Sequence, residues 1–438
     1  VLLYSDGADT EGLTVERAPR LTGASPVSLF SPSIEARSQT RYCCRQPCGF
    51  RRAGFASTEQ WTRDTMKNPY ISGLFPHIAD PDEKTSEDLL KLSGRNLGNF
   101  MFCSAARRFI RTTTKTNRQS VDLEVVKNEC DGIIVLAANW LQPRNDFTGL
   151  AARIEKANVP TVILGLGAQS HDGKIPDLHP GMLRFLKAVS ERCYSLSVRG
   201  TFSAEVLNHH GITNVTVTGC PSLLWHMTHS AAVTRQTAPG RIGRVSVSGT
   251  LPDQVNPNGD DSRMRLTRFI LQQALEDGYD YVAQTELPLM QAHRGERTAA
   301  DTARQDFLRH VFSPVGEAQT SAYLADHIRA FTNIPEWLAY CANQDFVIGT
   351  RLHGVIAGLL AGTPSMLITH DSRTEEMAQF AGIPAIRSTD LMAAGRMDMA
   401  ALLARADFDA FNTRQVAYFS DFIHFLDANA VPHRLRVI

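Results

Sequence analysis

The residues with the most chemistry to offer stand together in Gly349-Thr350-Arg351-Leu352-His353-Gly354. A guanidinium and an imidazole lie two positions apart, bracketed by glycines. Just before them, Phe346 to Ile348 is a short apolar run with β-branched residues, the pattern of a parallel strand buried on both faces. Just after them, Gly354, Ala357, Gly358, Ala361 and Gly362 define a helix of small residues that packs close to a sheet and to whatever binds at its start. Arg351 and His353 therefore fall at the C-terminal end of a strand, where open α/β sheets bind ligands. A permanent cation, a titratable imidazole and helix N-terminal amides then converge on one point. That combination suits an anion, phosphate above all.

The block also carries a family resemblance. Together with Ala357, Gly362-Thr363-Pro364 and His370-Asp371, it resembles the signature of the polysaccharide pyruvyl transferase family, and a weaker likeness runs from about Met66 to about Pro384. The resemblance implies two Rossmann-like domains facing a cleft, as in the glycosyltransferase-B architecture, in an α/β fold. It implies transfer of pyruvate from phosphoenolpyruvate to a glycan as a ketal, with release of phosphate. His353 is then the catalytic acid, and Arg199, Arg351 and Arg373 are the donor-binding cations. Arg199 resembles the family's first-domain arginine, and Arg373 stands where the family has lysine in Asp-x-Lys. A guanidinium keeps that charge but does not transfer a proton. Asn96 and Asn99 are substrate-side candidates, because Asn96 to Asn99 resembles the family's Asn-x-Gly-Asp turn with Asn99 in place of Asp. Cys220 stands where many members have Asp, and a buried free cysteine reads as structural.

The chemistry suits these residue types. Phosphoenolpyruvate carries a phosphate and a carboxylate, and arginine binds either bidentately. A ketal at C2 requires a proton at C3, and a histidine held near anions that favour its charged form can deliver one. Phosphoenolpyruvate acts as donor substrate, and no separate cofactor or metal is called for. The partner is a glycan or lipid-linked oligosaccharide acceptor, with no nucleic acid, and any membrane contact is peripheral. Two other readings share the architecture: a nucleotide-sugar glycosyltransferase or epimerase, and a non-enzymatic glycan-binding protein on a decayed transferase scaffold.

Positioning these residues requires a regular α/β chain. Strands are expected at Tyr70 to Phe75, Gly132 to Ala137, Thr161 to Leu166, Tyr194 to Val198 and Val215 to Thr218. Helical stretches between them, such as Pro180 to Arg192 and Thr201 to His209, imply βαβ units and a parallel sheet. The rhythm resumes with Val245 to Ser248, Arg265 to Glu276 and Tyr281 to Gln284, then a helix that turns Trp337 and Cys341 inward. Gln284 and Glu286 end the Tyr281 strand. They read as ordinary loop polars, and also as candidates for a sugar hydroxyl. His209, His210, His226 and His229 read as surface or loop histidines. Residues 287–320 read as a polar, mostly helical insertion, and Phe411 to Asn429 as a final helix. The resulting partition is 1–65 as an N-terminal extension, 66–232 as the first Rossmann-like domain, 233–243 as linker, 244–392 as the second, and 393–438 as a C-terminal helical segment.

Composition excludes several classes. Among 438 residues, Lys+Arg and Asp+Glu both number 45, so no global field draws nucleic acid or an anionic membrane. Hydrophobic content is 43% without an apolar run long enough for a transmembrane helix. The eight cysteines have no regular spacing, which points to reduced thiols and a cytoplasmic setting. Cys43, Cys44 and Cys48 cluster among arginines in the Ser/Thr/Arg/Pro-rich extension, without the spacing or fourth ligand of a zinc site. Residues 1–30 lack a secretory signal.

Overall fold

The computed structural model describes residues 66–437, apart from 77, 115–119, 171–172, 230–231, 234–241, 250–261, 297–300 and 314. The N-terminal extension with Cys43, Cys44 and Cys48, and most of the expected linker, lie outside the described residues.

The first half is built on β1 (Pro69–Ser72), β2 (Gly132–Leu136) and β3 (Thr161–Leu164), which pair in parallel in that order. β4 (Leu196–Val198) and β5 (Val215–Val217) form a parallel pair. A parallel bridge between Leu166 and Val198 joins them to the edge of β3. β1 to β3 are buried along their whole length, as their unbroken apolar runs require.

The second half is one six-stranded parallel sheet. Its strands are β6 (Val245–Ser248), β7 (Asp280–Val282), β8 (Ile328–Arg329), β9 (Phe346–Gly349), β10 (Ser365–Thr369) and β11 (Ala385–Arg387), in the spatial order β11-β10-β9-β6-β7-β8. The chain runs outward from β6 to β8, then returns to lay β9 against the other side of β6. That is the doubly wound Rossmann order, and the reversal between β6 and β9 is its topological switch point. Ser248 and Gly349 face each other at this point. A Cβ on Gly349 would collide with the Ser248 side chain and backbone, so the close approach of the two strand ends needs glycine.

The architecture is thus α/β, with two Rossmann-like halves whose strand C-terminal ends meet. The expected helix after β9 spans Leu352–Leu360 and is buried throughout. Its small residues let it sit against β9 and β10; a Cβ on Gly358 would reach Val347 at 3.0 Å. The last long helix, Phe408–Ala428, packs on both halves. Tyr418 Oη donates to the Cys220 carbonyl at 2.8 Å, and Arg414 Nε donates to the Phe380 carbonyl at 2.8 Å. Beyond it, the Asn429 side chain accepts from the Tyr194 amide at 3.0 Å. Among the described residues no helix is long and apolar enough to cross a membrane.

Candidate active site

The site grows out of the switch point. β9 ends at Gly349, Arg351 precedes the Leu352–Leu360 helix, and His353 lies in that helix's first turn. Arg351 reaches sideways: Nε donates to the Gly249 carbonyl at 2.8 Å, and Nη2 donates to the Thr285 hydroxyl and to Glu286 Oε1 at 2.7 Å. Glu286 is fully buried. Its Oε2 accepts from the amides of Gln284 at 2.8 Å and Thr285 at 3.0 Å, and its Oε1 also accepts from the Thr285 hydroxyl at 2.9 Å. Burial pushes the carboxyl up, but the Arg351 charge and these hydrogen bonds outweigh it, so Glu286 is held below the usual carboxylate range. The expectation that Glu286 is an ordinary loop polar is therefore corrected. It is the buried partner that fixes Arg351.

Arg199 enters from the other half, at the end of β4, and is 2% exposed. Nε donates to the Gly165 carbonyl at 2.8 Å, and the guanidinium lies 5.6 Å from the centre of the Phe102 ring. Among the described residues it forms no salt bridge with a carboxylate. A buried cation held by carbonyls and a ring face, with a through-space attraction to Glu376 but no ion pair, has unspent affinity for an anion. Arg373, in the first turn of the Ser372–Ala381 helix, pairs with Asp371 at 3.5 Å. Burial first, and the charges of Arg199 and Arg351 as well, lower the Arg373 pKa against the opposing pull of Asp371.

His353 sits among these three arginines. Burial, then Arg199, Arg373 and Arg351, hold its pKa well below the ordinary imidazole range. The expectation of neighbouring anions is corrected: the charges acting on the ring are those of the three arginines, and they and burial favour the neutral imidazole. One ring nitrogen, Nε2, lies 3.7 Å from Cys220 Sγ, and the ring is 5.8 Å from that of Phe102. Cys220, read as structural from the sequence, is the buried neighbour of the imidazole.

The opposite side of His353 faces the Asn96–Gly98 turn. A Cβ on Gly98 would come within 2.9 Å of His353 Nδ1 and 3.0 Å of Asn96 Oδ1, and would collide with Gln284 Oε1. Asn96 Oδ1 accepts from the Gly98 amide at 2.8 Å, and the Leu97 amide donates to the Gln284 carbonyl at 2.9 Å. The turn from the first half is thereby docked on the second. Gln284 is 1% exposed, not a loop polar, and its Nε2 has no hydrogen-bond partner among the described residues. Asn99 is spent on its own turn, donating to the Ser93 carbonyl at 3.0 Å.

Arg199, Arg351, Arg373, His353, Asn96 and Gln284 are thus brought together, whereas Glu286 supports from behind and Asn99 stands aside. Of the histidines read as surface residues, His226 is engaged by the Leu360 carbonyl at 2.9 Å. Four of the six buried polar atoms without a partner among the described residues belong to Gln284, His370 and Arg373. Buried donors are ordinarily satisfied, so such a concentration marks a place built for oxygens that a ligand supplies. No group of three or more His, Cys, Asp or Glu side chains among the described residues is arranged to hold a metal ion.

The family model described as polysaccharide pyruvyl transferase matches residues 59–372, which include every one of these residues except Arg373. The chain belongs to the polysaccharide pyruvyl transferase family. No curated relative matches the sequence. Among solved structures, similarity extends to a UDP-N-acetylglucosamine 2-epimerase from Rickettsia bellii, with 10% identity, 84% of this chain and 97% of that chain covered, and a TM-score of 0.41. A putative UDP-N-acetylglucosamine 2-epimerase from Listeria monocytogenes has 10% identity, 82% and 97% coverage, and a TM-score of 0.40. Trehalose-6-phosphate from E. coli bound with UDP-2-fluoro glucose, a further solved structure, has 12% identity, 70% and 73% coverage, and a TM-score of 0.35.

Proposed function

We propose that this transferase moves the pyruvyl group of phosphoenolpyruvate onto two hydroxyls of a glycan as a ketal and releases phosphate. The observation that carries this reading is the convergence of the buried Arg199 and the half-buried Arg351 and Arg373 on His353. Arg351 and Arg373 have the carboxylates of Glu286 and Asp371, but Arg199 forms no salt bridge among the described residues, and the surplus positive charge favours an anion in the site. Phosphoenolpyruvate, with its carboxylate and phosphate, is such an anion.

In this mechanism the donor's negative charges offset the arginines and let His353 take a proton. His353 delivers that proton to C3, electron demand develops at C2, and an acceptor hydroxyl oxygen adds there, its proton returning to the imidazole. The C2–O bond to phosphate then breaks. A second hydroxyl of the same sugar closes the ketal, its proton leaving with the phosphate. Burial of the site excludes water, which would otherwise compete for C2. Gln284 and Asn96, on the side of His353 opposite Cys220, are positioned for the acceptor.

The test is phosphate release from phosphoenolpyruvate in the presence of candidate glycans, compared with His353→Ala. Glycan-dependent release is expected, with a loss of at least about a hundredfold in the variant, the scale of general acid catalysis. Full activity of His353→Ala would remove the imidazole from the reaction.

A further inference from the structure

His370 is the last residue before the Ser372–Ala381 helix cap and follows β10, the neighbour of β9. Its side chain is 5% exposed, yet neither ring nitrogen makes a hydrogen bond of ordinary length and angle. The polar groups about it are Asp371, whose Oδ2 lies 3.6 Å from Nε2, the backbone of Ile368, and the cations Arg373 and Arg351. Asp371 does not turn toward the ring, because it is occupied elsewhere. Its Oδ2 accepts from Gln169 at 2.8 Å, and its Oδ1 accepts from the Thr374 amide at 2.8 Å in a capping box. The His370 backbone is held by the same device, its amide donating to Thr374 Oγ1 at 3.1 Å. Arg373 Nε, three residues on, is likewise buried without a partner.

An imidazole held only by a 3.6 Å contact to Asp371 and a weak bond to the Ile368 backbone, near a guanidinium whose Nε has no partner among the described residues, is a poor way to fill a core. Leaving such groups poorly satisfied is disfavoured, and an apolar residue of similar size would pack there without that penalty. The pair makes sense when an oxyanion accepts from both.

We propose that His370 and Arg373 Nε form an oxyanion subsite of the donor pocket, and that His370 becomes protonated when the oxyanion binds. The proposal rests on the donor reading above and assigns a residue to it. In the free protein, burial above all, then Arg373 and Arg351, outweigh Asp371 and the Ile368 backbone hydrogen bond and lower the His370 pKa to about 4, so the ring enters the binding event neutral. An arriving oxyanion reverses that balance, and the proton comes from solvent. Donor binding is therefore linked to proton uptake and weakens as pH rises.

The experiment is calorimetric titration of the intact chain with phosphoenolpyruvate near pH 8, in two buffers of different ionisation enthalpy. At that pH the ligand's phosphate is fully ionised and cannot itself account for uptake. Wild type, His370→Asn and His353→Asn are compared. Expected results are net uptake in wild type, a clear reduction in His370→Asn, and affinity in that variant lowered about tenfold, the scale of one charge-assisted hydrogen bond. The His353→Asn titration reports the other imidazole's share. Because His370→Asn can perturb the fold, ring-nitrogen chemical shifts of His370 in the wild-type protein give the same answer without a mutation. They should move toward the charged form on saturation. Unchanged uptake and affinity in His370→Asn, or shifts that do not move, would overturn the proposal. If phosphoenolpyruvate does not bind but sulfate binds and shifts the His370 ring, the subsite stands and the donor reading falls. If neither anion binds, both fall.

Discussion

Glu286→Gln is the perturbation that most directly interrogates how the site is held together. The carboxylate is fully buried and uses both oxygens as acceptors: Oε1 for Arg351 Nη2 and the Thr285 hydroxyl, and Oε2 for the Gln284 and Thr285 amides. Glutamine has the same shape but only one acceptor oxygen. Whichever way its amide turns, an NH2 group faces existing donors, either the guanidinium or the two backbone amides. The variant also leaves Arg351, whose side chain is 13% exposed, without a carboxylate. Breaking a buried ion pair from one side costs about 3–5 kcal/mol. Against a total stability of about 5–15 kcal/mol, that is a large fraction. The expected outcome is a fall of about that size in the free energy of denaturant unfolding at pH 7, with weaker phosphoenolpyruvate binding because Arg351 loses its orientation. The acid limb should change as well. A carboxyl with a lowered folded pKa contributes stability that is present above its unfolded value and lost as pH falls through the folded one. Glu286→Gln should therefore flatten the loss of stability on the acid side. The companion Arg351→Met variant strands the carboxylate instead. The double variant should then be less damaged than the sum of the singles by more than about 1 kcal/mol. If Glu286→Gln lies within about 0.5 kcal/mol of wild type and the cycle is additive, the pair does not have the role described.

Two further predictions concern the seam between the halves. Glu376 accepts from Ser203 Oγ at 2.8 Å and the Ser203 amide at 3.2 Å across that seam, and burial pushes its pKa up to about 7 despite those bonds. The folded state therefore holds this proton more tightly than the unfolded one, and stability should decline as pH rises from about 4.5 to about 7, by on the order of 3 kcal/mol. Glu376→Gln should remove that decline in melting curves recorded across the range, and a wild-type slope retained in the variant would contradict the assignment. Gly98→Ala inserts a Cβ between His353 Nδ1, Asn96 Oδ1 and the Gln284 amide. Phosphate release should fall more than about tenfold with unfolding stability lowered by about 1–3 kcal/mol, the range for overpacking; full activity would show that the turn does not touch the working site.

Much of the fold was legible in the chain because its signals are local. Unbroken apolar runs such as Gly132 to Leu136 and Phe346 to Ile348 are strands buried on both faces, and their regular alternation with helices implies parallel sheets. The glycine-bracketed Arg351 and His353 were equally legible, since the residues that shape the turn are neighbours in sequence. Strand ends shifted by one to three residues, because hydrogen bonding to the next strand, not side-chain type, decides where a strand stops.

What the tertiary structure decided is the company each side chain keeps. Glu286 lies just past β7 in a run that marks it as a candidate but names no partner, and only the switch point between β6 and β9 brings Arg351 over to it. Cys220 meets His353 from the far half of the chain, 133 residues away, and no periodicity records that distance. The charge state of His353 was likewise beyond the sequence. An imidazole takes its proton affinity from burial and from the charges around it, and those are set by the meeting of two sheets whose strand ends are separated in sequence but adjacent in space.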